Sequence, residues 1–252
     1  MKEILWRLRN WLEESEHIVF LGGAGVSTES GIPDFRSDDG VFTKKNQYGR
    51  LPEELLHVRT LQQDPEAFFA YYRENMIHAE AKPNAAHEAL VRLEEMGKLD
   101  AVITQNVDGL HQLAGSGRVL ELHGNVFDND CMSCGQTYSL NLLLGNEETI
   151  PHCPLCGGIV RPRIVLYGEY LNEEVFAEAR QAIEKADMLI VAGTSLAVYP
   201  AAGLLQHYQG EHLVLINKAN TSYDRMANMV IHDSVGKTLH DAVLHIRSEE
   251  DV

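Results

Sequence analysis

Four cysteines carry the clearest chemistry in this sequence. They form two Cys-x-x-Cys pairs, Cys131 with Cys134 and Cys153 with Cys156, separated by 18 residues and using every cysteine in the chain. Each pair sets two thiolates on one side of a tight turn, and Gly135 and Gly157 follow to permit that turn. Four sulfurs close a tetrahedral shell with no open position, so the spacing predicts one structural Zn²⁺ of zinc-ribbon type. A redox dithiol would need a thioredoxin-like surrounding that the sequence lacks. A ribbon that reads nucleic acid would want basic neighbours, whereas this one has Asp128, Asp130, Glu147 and Glu148.

A second candidate site starts at Gly23-Ala24-Gly25-Val26-Ser27-Thr28, directly after the apolar run Ile18-Val19-Phe20-Leu21. A glycine loop behind a strand suits a phosphate-bearing ligand. The third glycine of a dinucleotide fingerprint is replaced by Thr28, and no strand-terminal acid follows about 20 residues on. No Gly-Lys-Ser or Gly-Lys-Thr is present, which excludes a P-loop. The loop continues to Asp34-Phe35-Arg36, where Asp34 and Arg36 suit either a pyrophosphate and ribose or an ordinary surface ion pair. His123 ends another apolar run, and an imidazole titrating near neutrality suits a general base. Residue type alone leaves its role open, because most of the 12 histidines in such a chain are structural. Asn106 and Asp108 suit turn formation as well as ligand contact, and Phe35 suits a core as well as a lid.

The elements that must position these residues alternate. Residues 4–16 have apolar side chains at helical spacing. Short apolar runs at 18–21, 101–103, 119–122, 188–191 and 213–216 each end in a small or polar cluster: Gly23-Ala24-Gly25, Thr104-Gln105-Asn106, His123-Gly124, Gly193-Thr194-Ser195 and Asn217. Helices lie between them, one capped by Asn84 and closed by Gly97, another starting at Asn172 with Glu173 and Glu174 in its first turn. This grammar predicts an α/β fold with a Rossmann-like, doubly wound parallel sheet, whose ligands bind at the carboxyl ends of the strands. Two segments break the alternation: about 37–81, helical and rich in aromatics (Phe68, Phe69, Tyr71, Tyr72), and about 125–160, which holds the cysteines. They are expected to form a smaller zinc-ribbon plus helical module over a core built from about 1–36, 82–124 and 161–250, within one domain spanning 1–252.

The bulk properties narrow the function. A chain of 252 residues with 44% hydrophobic and 23% charged residues buries a real core. A formal net charge of −16 repels phosphate backbones and disfavours direct nucleic-acid binding, while it attracts lysine-rich segments. Charged residues interrupt residues 1–20, and no apolar run approaches the ~18 residues of a membrane span. The expected location is the cytoplasm, where thiols stay reduced.

Taken together, Gly23-Ala24-Gly25-Val26-Ser27, Gly31-Ile32-Pro33-Asp34-Phe35-Arg36, Thr104-Gln105-Asn106-Val107-Asp108-Gly109-Leu110-His111, His123-Gly124, the paired cysteines, Gly193-Thr194-Ser195-Leu196 and Asn217 resemble the sirtuin family in order and spacing, over about residues 10–245. The resemblance implies an NAD-dependent protein-lysine deacetylase that yields nicotinamide, free lysine and O-acyl-ADP-ribose. It implies that Gly23, Ala24, Gly25, Thr28, Asp34, Phe35 and Arg36 line the dinucleotide. Gln105 and Asn106 would approach the ribose, Val107 and Asp108 the nicotinamide carboxamide, and Thr194, Ser195 and Asn217 the adenosine half. His123 would be the catalytic base, with Asn106 beside it. The stretch Val165 to Glu169, including Tyr167 and Gly168, would be the strand against which an acyl-lysine peptide lies.

Three features depart from the common pattern. Many relatives have Asp or Asn at Arg163 and Phe at Tyr167, so an added cation and an added hydroxyl are expected near the peptide cleft. Members that favour acidic acyl groups share a Tyr-x-x-Arg pair. Here the position three before Arg73 is Ala70, which favours acetyl or longer apolar groups. The competing functions are a protein ADP-ribosyltransferase, a non-catalytic NAD or ADP-ribose sensor, and, more distantly, a dehydrogenase, against which the broken fingerprint counts.

Overall fold

The computed structural model describes residues 2–34, 49–145, 149–244 and 246. Helix α1 (Lys2–Glu14) leads into β1 (Ile18–Gly22). After two 3₁₀ turns come α2 (Pro52–Leu55), α3 (Val58–Gln63), α4 (Pro65–Asn75) and α5 (Ala85–Glu95). Then follow β2 (Leu99–Thr104), α6 (Leu110–Ala114), β3 (Val119–Glu121), β4 (Gly124–Cys131), β5 (Thr137–Ser139), α7 (Asn141–Leu144) and β6 (Val160–Ile164). The chain closes with α8 (Glu173–Lys185), β7 (Met188–Ala192), a 3₁₀ helix (Ala201–His207), β8 (His212–Ile216), β9 (Met229–Ile231) and α9 (Val235–Val243). No helix among the described residues is long and apolar enough to cross a membrane.

Six strands form one parallel sheet in the order β3-β2-β1-β7-β8-β9. The chain starts in the middle, moves outward through β2 and β3, then returns to the other side of β1 through β7. The strand order therefore reverses between β1 and β7, and a crevice for a ligand opens at their carboxyl ends. Both faces of the sheet are covered, which explains why its strands read as unbroken apolar runs. Ile18 and Phe20 pack with Leu8 and Leu12 of α1 and with Leu90, Leu93 and Leu239 of α5 and α9. Val19 and Leu21 face the other way, onto Ala179 and Ile183 of α8 and Leu204 of the 3₁₀ helix.

The caps fall where residue type placed them. Asn84 Oδ1 accepts from Ala86 N at the start of α5, and Asn172 Oδ1 accepts from Glu174 N and Val175 N at the start of α8. Gly97 closes α5 with a φ of 71°.

The second sheet is antiparallel, in the order β5-β4-β6. It packs on α2, α3, α4 and α7 around a separate core in which Phe68 meets Phe69 edge-on at 5.1 Å and stacks on Tyr72 at 5.9 Å. This sheet and the edge strand β9 do not stand out in the sequence, because their strands are short or alternate with polar residues.

One expectation is corrected. Val165 to Glu169 is not a strand. Strand β6 ends at Ile164, and the chain leaves the sheet in an extended loop tied by a single bridge between Tyr167 and His57. The cause is local: Gly168 has a φ of 88°, and the Glu169 carboxylate turns back to accept from Leu166 N.

Candidate active site

The polar clusters predicted at strand ends converge at the switch between β1 and β7. Gly23 N donates to Ala192 O at 3.1 Å and Gly25 N to Gly193 O at 2.8 Å, so the glycine loop runs backbone-to-backbone along the loop after β7. A Cβ on Gly25 would stand 2.7 Å from Gly193 Cα, and Gly193 itself has a φ of 61°. These glycines are required by the close approach of the two loops, whatever ligand they face. Ala24 and Thr28 lie on this loop, with the Thr28 hydroxyl donating to Gly25 O at 3.0 Å. Leu196, buried after Ser195, adopts a left-handed φ of 52°, a strained backbone for a non-glycine residue beside the crevice.

The loop after β2 is locked onto the glycine loop. Gln105 N donates to Gly22 O. Both amide hydrogens of the buried Asn106 are committed, to Gly23 O at 3.1 Å and Ser27 Oγ at 3.0 Å. Its Oδ1 is thereby the atom left to accept from a bound hydroxyl. The Ser27 hydroxyl donates in turn to Asp108 Oδ2 at 2.7 Å, and Asp108 Oδ1 accepts from Leu110 N at 2.9 Å, where α6 begins. Ser27 was not singled out by residue type, yet it joins Asn106 to Asp108. Nothing local in the sequence signals that role, since its partners lie 79 and 81 positions away. Val107 faces the second sheet, where its carbonyl accepts from Val126 N.

His123 stands where the two sheets meet, between the end of β3 and the start of β4. Its Nδ1 lies 2.9 Å from Gln105 O, an acceptor only, so Nδ1 carries the proton and Nε2 is left basic. Burial holds its pKa below the ordinary 6.5, opposed by the hydrogen bond to Gln105. The ring is therefore neutral and ready to accept a proton at physiological pH. Gly124 follows with a φ of 71°, and a Cβ there would collide with the Arg163 carbonyl, so only glycine lets β4 approach β6 directly after the histidine. Glu121, one turn of chain away, is also perturbed: burial raises its pKa against donors from Asn125 and Gln112.

On the far side of the crevice, Gln105 Nε2 donates to Thr194 Oγ1 at 3.2 Å, and Asn217 Nδ2 to Thr194 O at 3.4 Å and Ala219 O at 3.2 Å. Ser195 lies exposed at the rim. Asp34 is half-buried at the end of a described segment, and Phe35 and Arg36 lie outside the described residues.

The substrate-side residues are placed less uniformly. Val165 N donates to His123 O at 2.9 Å, which sets this segment beside the base. Tyr167 is partly exposed, and Gly168 lies under the His57 ring, where a Cβ would stand 2.7 Å from Cε1. The Glu169 carboxylate is engaged by Arg161, with Nη2 to Oε2 at 2.9 Å. Arg163, expected as a cation near the cleft, forks instead onto Asp130 at 2.8 and 2.7 Å, with Asp128 at 3.6 Å. Arg73 donates to the carbonyls of Leu143 and Thr149 and lies over the Phe69 ring.

The four cysteines come together as one cluster, with all sulfurs within 4.8 Å of one another. Cys131 and Cys156 Sγ are 3.5 Å apart, and Cys134 and Cys153 Sγ 3.7 Å. Thiolates held about 2.3 Å from one tetrahedral zinc stand about 3.8 Å apart, so the donor set and its spacing fit that ion.

A doubly wound sheet with a glycine loop at its switch point, a neutral histidine at the neighbouring strand end and a four-thiolate ribbon defines a dinucleotide-binding protein with a structural metal module. Comparison with known proteins gives the family. Residues 23–200 match the Sir2 family, and the chain belongs to it. It is 52% identical over 236 residues to an NAD-dependent protein deacetylase of Clostridium acetobutylicum, covering 94% of this chain and 96% of that protein. Among solved structures, it resembles a Sir2 protein with a deacetylated p53 peptide and 3′-O-acetyl ADP-ribose, with a TM-score of 0.87, 36% identity and coverage of 94% and 96% of the two chains. It also resembles a Sir2 protein bound to a propionylated peptide, with a TM-score of 0.86, 35% identity and coverage of 96% and 99%.

Proposed function

We propose that this protein removes acetyl groups from protein lysine side chains with NAD as co-substrate. In this reaction the acyl-lysine amide oxygen displaces nicotinamide from the ribose, a neighbouring ribose hydroxyl attacks the acyl carbon, and one water is consumed as the bond to lysine breaks, releasing lysine and O-acyl-ADP-ribose. The observation that carries the reading is the His123 tautomer. With Nδ1–H held by Gln105 O, Nε2 is the unprotonated atom, and a ribose hydroxyl must surrender its proton to such an atom before it attacks the acyl carbon. Asn106, pinned through both amide hydrogens, offers Oδ1 to the same sugar. We assign Asp108 and Val107 to the nicotinamide carboxamide. Gly23, Ala24, Gly25, Thr28, Asp34, Phe35, Arg36 and Gln105 are assigned to the dinucleotide and ribose, and Thr194, Ser195 and Asn217 to the adenosine half. Val165, Tyr167, Gly168 and Glu169 would meet the peptide backbone, so the dinucleotide lies between the parallel sheet and the metal module.

Acetyl is favoured over acidic acyl groups, because Ala70 stands three positions before Arg73 where members that favour acidic groups have Tyr, and Arg73 donates to two carbonyls of the metal module. The net charge of −16 favours lysine-rich substrate segments. The free, clustered thiols suit the reducing cytoplasm, where we place the protein.

The test is mass spectrometry of an acetyl-lysine peptide incubated with NAD and protein. Deacetylated peptide and O-acetyl-ADP-ribose are expected in equal amounts. His123→Ala should lower the rate by about 10²- to 10⁴-fold, the contribution of a positioned base, while ADP-ribose still binds. A peptide left intact by the native protein across several acyl groups would overturn the reading.

A further inference from the structure

The four sulfurs of the metal cluster are not equivalent. Cys131 and Cys153 are buried, while Cys134 and Cys156 are exposed. Each buried sulfur has an exposed one from the other pair beside it, Cys156 Sγ at 3.5 Å from Cys131 Sγ and Cys134 Sγ at 3.7 Å from Cys153 Sγ. Cys153 has one partner more. The Tyr138 hydroxyl lies 3.0 Å from its Sγ.

Tyr138 is fixed by the fold rather than placed by chance. It sits in the middle of β5, opposite Asn129 of β4, and its ring packs against the module core. The fully buried Asn129 amide nitrogen donates to Phe127 O at 3.2 Å and lies 3.5 Å from the carbonyls of Val126 and Tyr138. A metal-bound thiolate has no proton, so in the loaded site the phenol is the donor. A hydrogen bond to a ligating sulfur orients it and draws off part of its charge, as outer-shell partners of metal ligands do.

We propose that Tyr138 is a positioning residue of the metal site: by donating its hydroxyl proton to Cys153 Sγ it holds that thiolate in the ligand set and slows loss of the ion. The proposal rests on the zinc reading of the cluster. It makes Cys153 the anchored ligand and leaves the exposed Cys134 and Cys156 as the sulfurs that a chelator or electrophile engages first.

The experiment compares the full-length native protein with Tyr138→Phe. The zinc-loaded forms are mixed with a chromophoric chelator and metal transfer is timed; Tyr138→Phe is expected to release zinc about 10-fold faster, the low end of what outer-shell partners contribute. Both proteins are also loaded with Co²⁺. The thiolate-to-cobalt charge-transfer band of Tyr138→Phe is expected at longer wavelength, because the sulfur that loses its donor is richer in electrons. Equal release rates would overturn the proposal. So would faster release with an unshifted band, which would assign Tyr138 to packing alone. A native protein that bound neither ion would overturn the metal reading itself, a result distinct from either.

Discussion

The parallel sheet and the metal module hold their functional residues by opposite means. At the end of the parallel sheet, side chains are locked to backbone and to one another: Asn106 to Gly23 and Ser27, Ser27 to Asp108, His123 to Gln105. The glycine loop grows from the fully buried β1 and the loop of Gln105 to Asp108 from β2, buried at all but one position, so the hydrophobic core fixes this part of the site before any ligand arrives. The module has a core of its own, but its cysteine-bearing end is made of two exposed turns joined through a sulfur cluster. There the ion supplies the order. A preformed site and a metal-dependent one thus share a single seam, at His123 and Gly124.

The largest effect that can break this comparison is removal of the ion. Cys153→Ser, or exhaustive chelation, is expected to abolish protection of β4, β5 and β6 amides from hydrogen exchange and to remove nearly all deacetylation. The six parallel strands should keep their protection. If β1 and β7 lost protection together with β4, the two regions would be one cooperative unit and the contrast would fail.

The next effect probes the other side. Gly193→Ala places a side chain at a φ of 61°, which costs roughly 1–2 kcal/mol for an L-residue, and its Cβ meets the backbone of Gly25 and Val26. With the overpacking term of roughly 1–3 kcal/mol, a loss of about 2–5 kcal/mol is expected from urea midpoints. Affinity for ADP-ribose should fall with it, while zinc stays bound. An unchanged ADP-ribose affinity would show that the two glycine loops are not what shapes the crevice.

The same contrast explains what could be read from residues alone. Strands buried on both faces appear as Ile18-Val19-Phe20-Leu21 or Met188-Leu189-Ile190-Val191, and their carboxyl ends announce the site. The cysteine spacing declares its own cluster. The module's sheet was hidden, because β4 and β6 carry polar Asn129, Asp130, Arg161 and Arg163, and the Asp130–Arg163 pair forms only across the two strands. For the same reason the pairing of Arg163 was not legible: Asp130, its partner, is 33 positions away. The stretch Val165-Leu166-Tyr167 has the composition of a strand, but Leu166 is buried under the module and Gly168 turns the chain out of the sheet. The hold of Asp108 on Ser27 and Leu110 was not legible, since both contacts depend on how the loops fold back.

The smallest expected effect is a dependence on pH that belongs to the parallel-sheet half. The His87 and His111 rings lie 4.6 Å apart, tilted by 56°, behind the site, and neither nitrogen of His111 finds a hydrogen-bond partner among the described residues. Burial, with His87 as a second cause, pushes the His111 pKa down from 6.5 to about 3, and burial lowers His87 and His123 as well. Because the folded values lie below the unfolded ones, the unfolded chain takes up protons first as pH falls. The stability is complete above about 6.5 and is lost progressively below it, down to about 3 for His111. One such group contributes a slope of roughly 1 kcal/mol per pH unit. His111→Phe, which keeps an aromatic ring in place of the titrating one, should flatten the urea-midpoint profile between about pH 6 and 5 by that one-group slope. Zinc loss by thiolate protonation would give a different signature, since excess zinc would offset it and leave the histidine slope untouched. A profile equally steep in His111→Phe and the native protein would move the acid sensitivity from the sheet to the module.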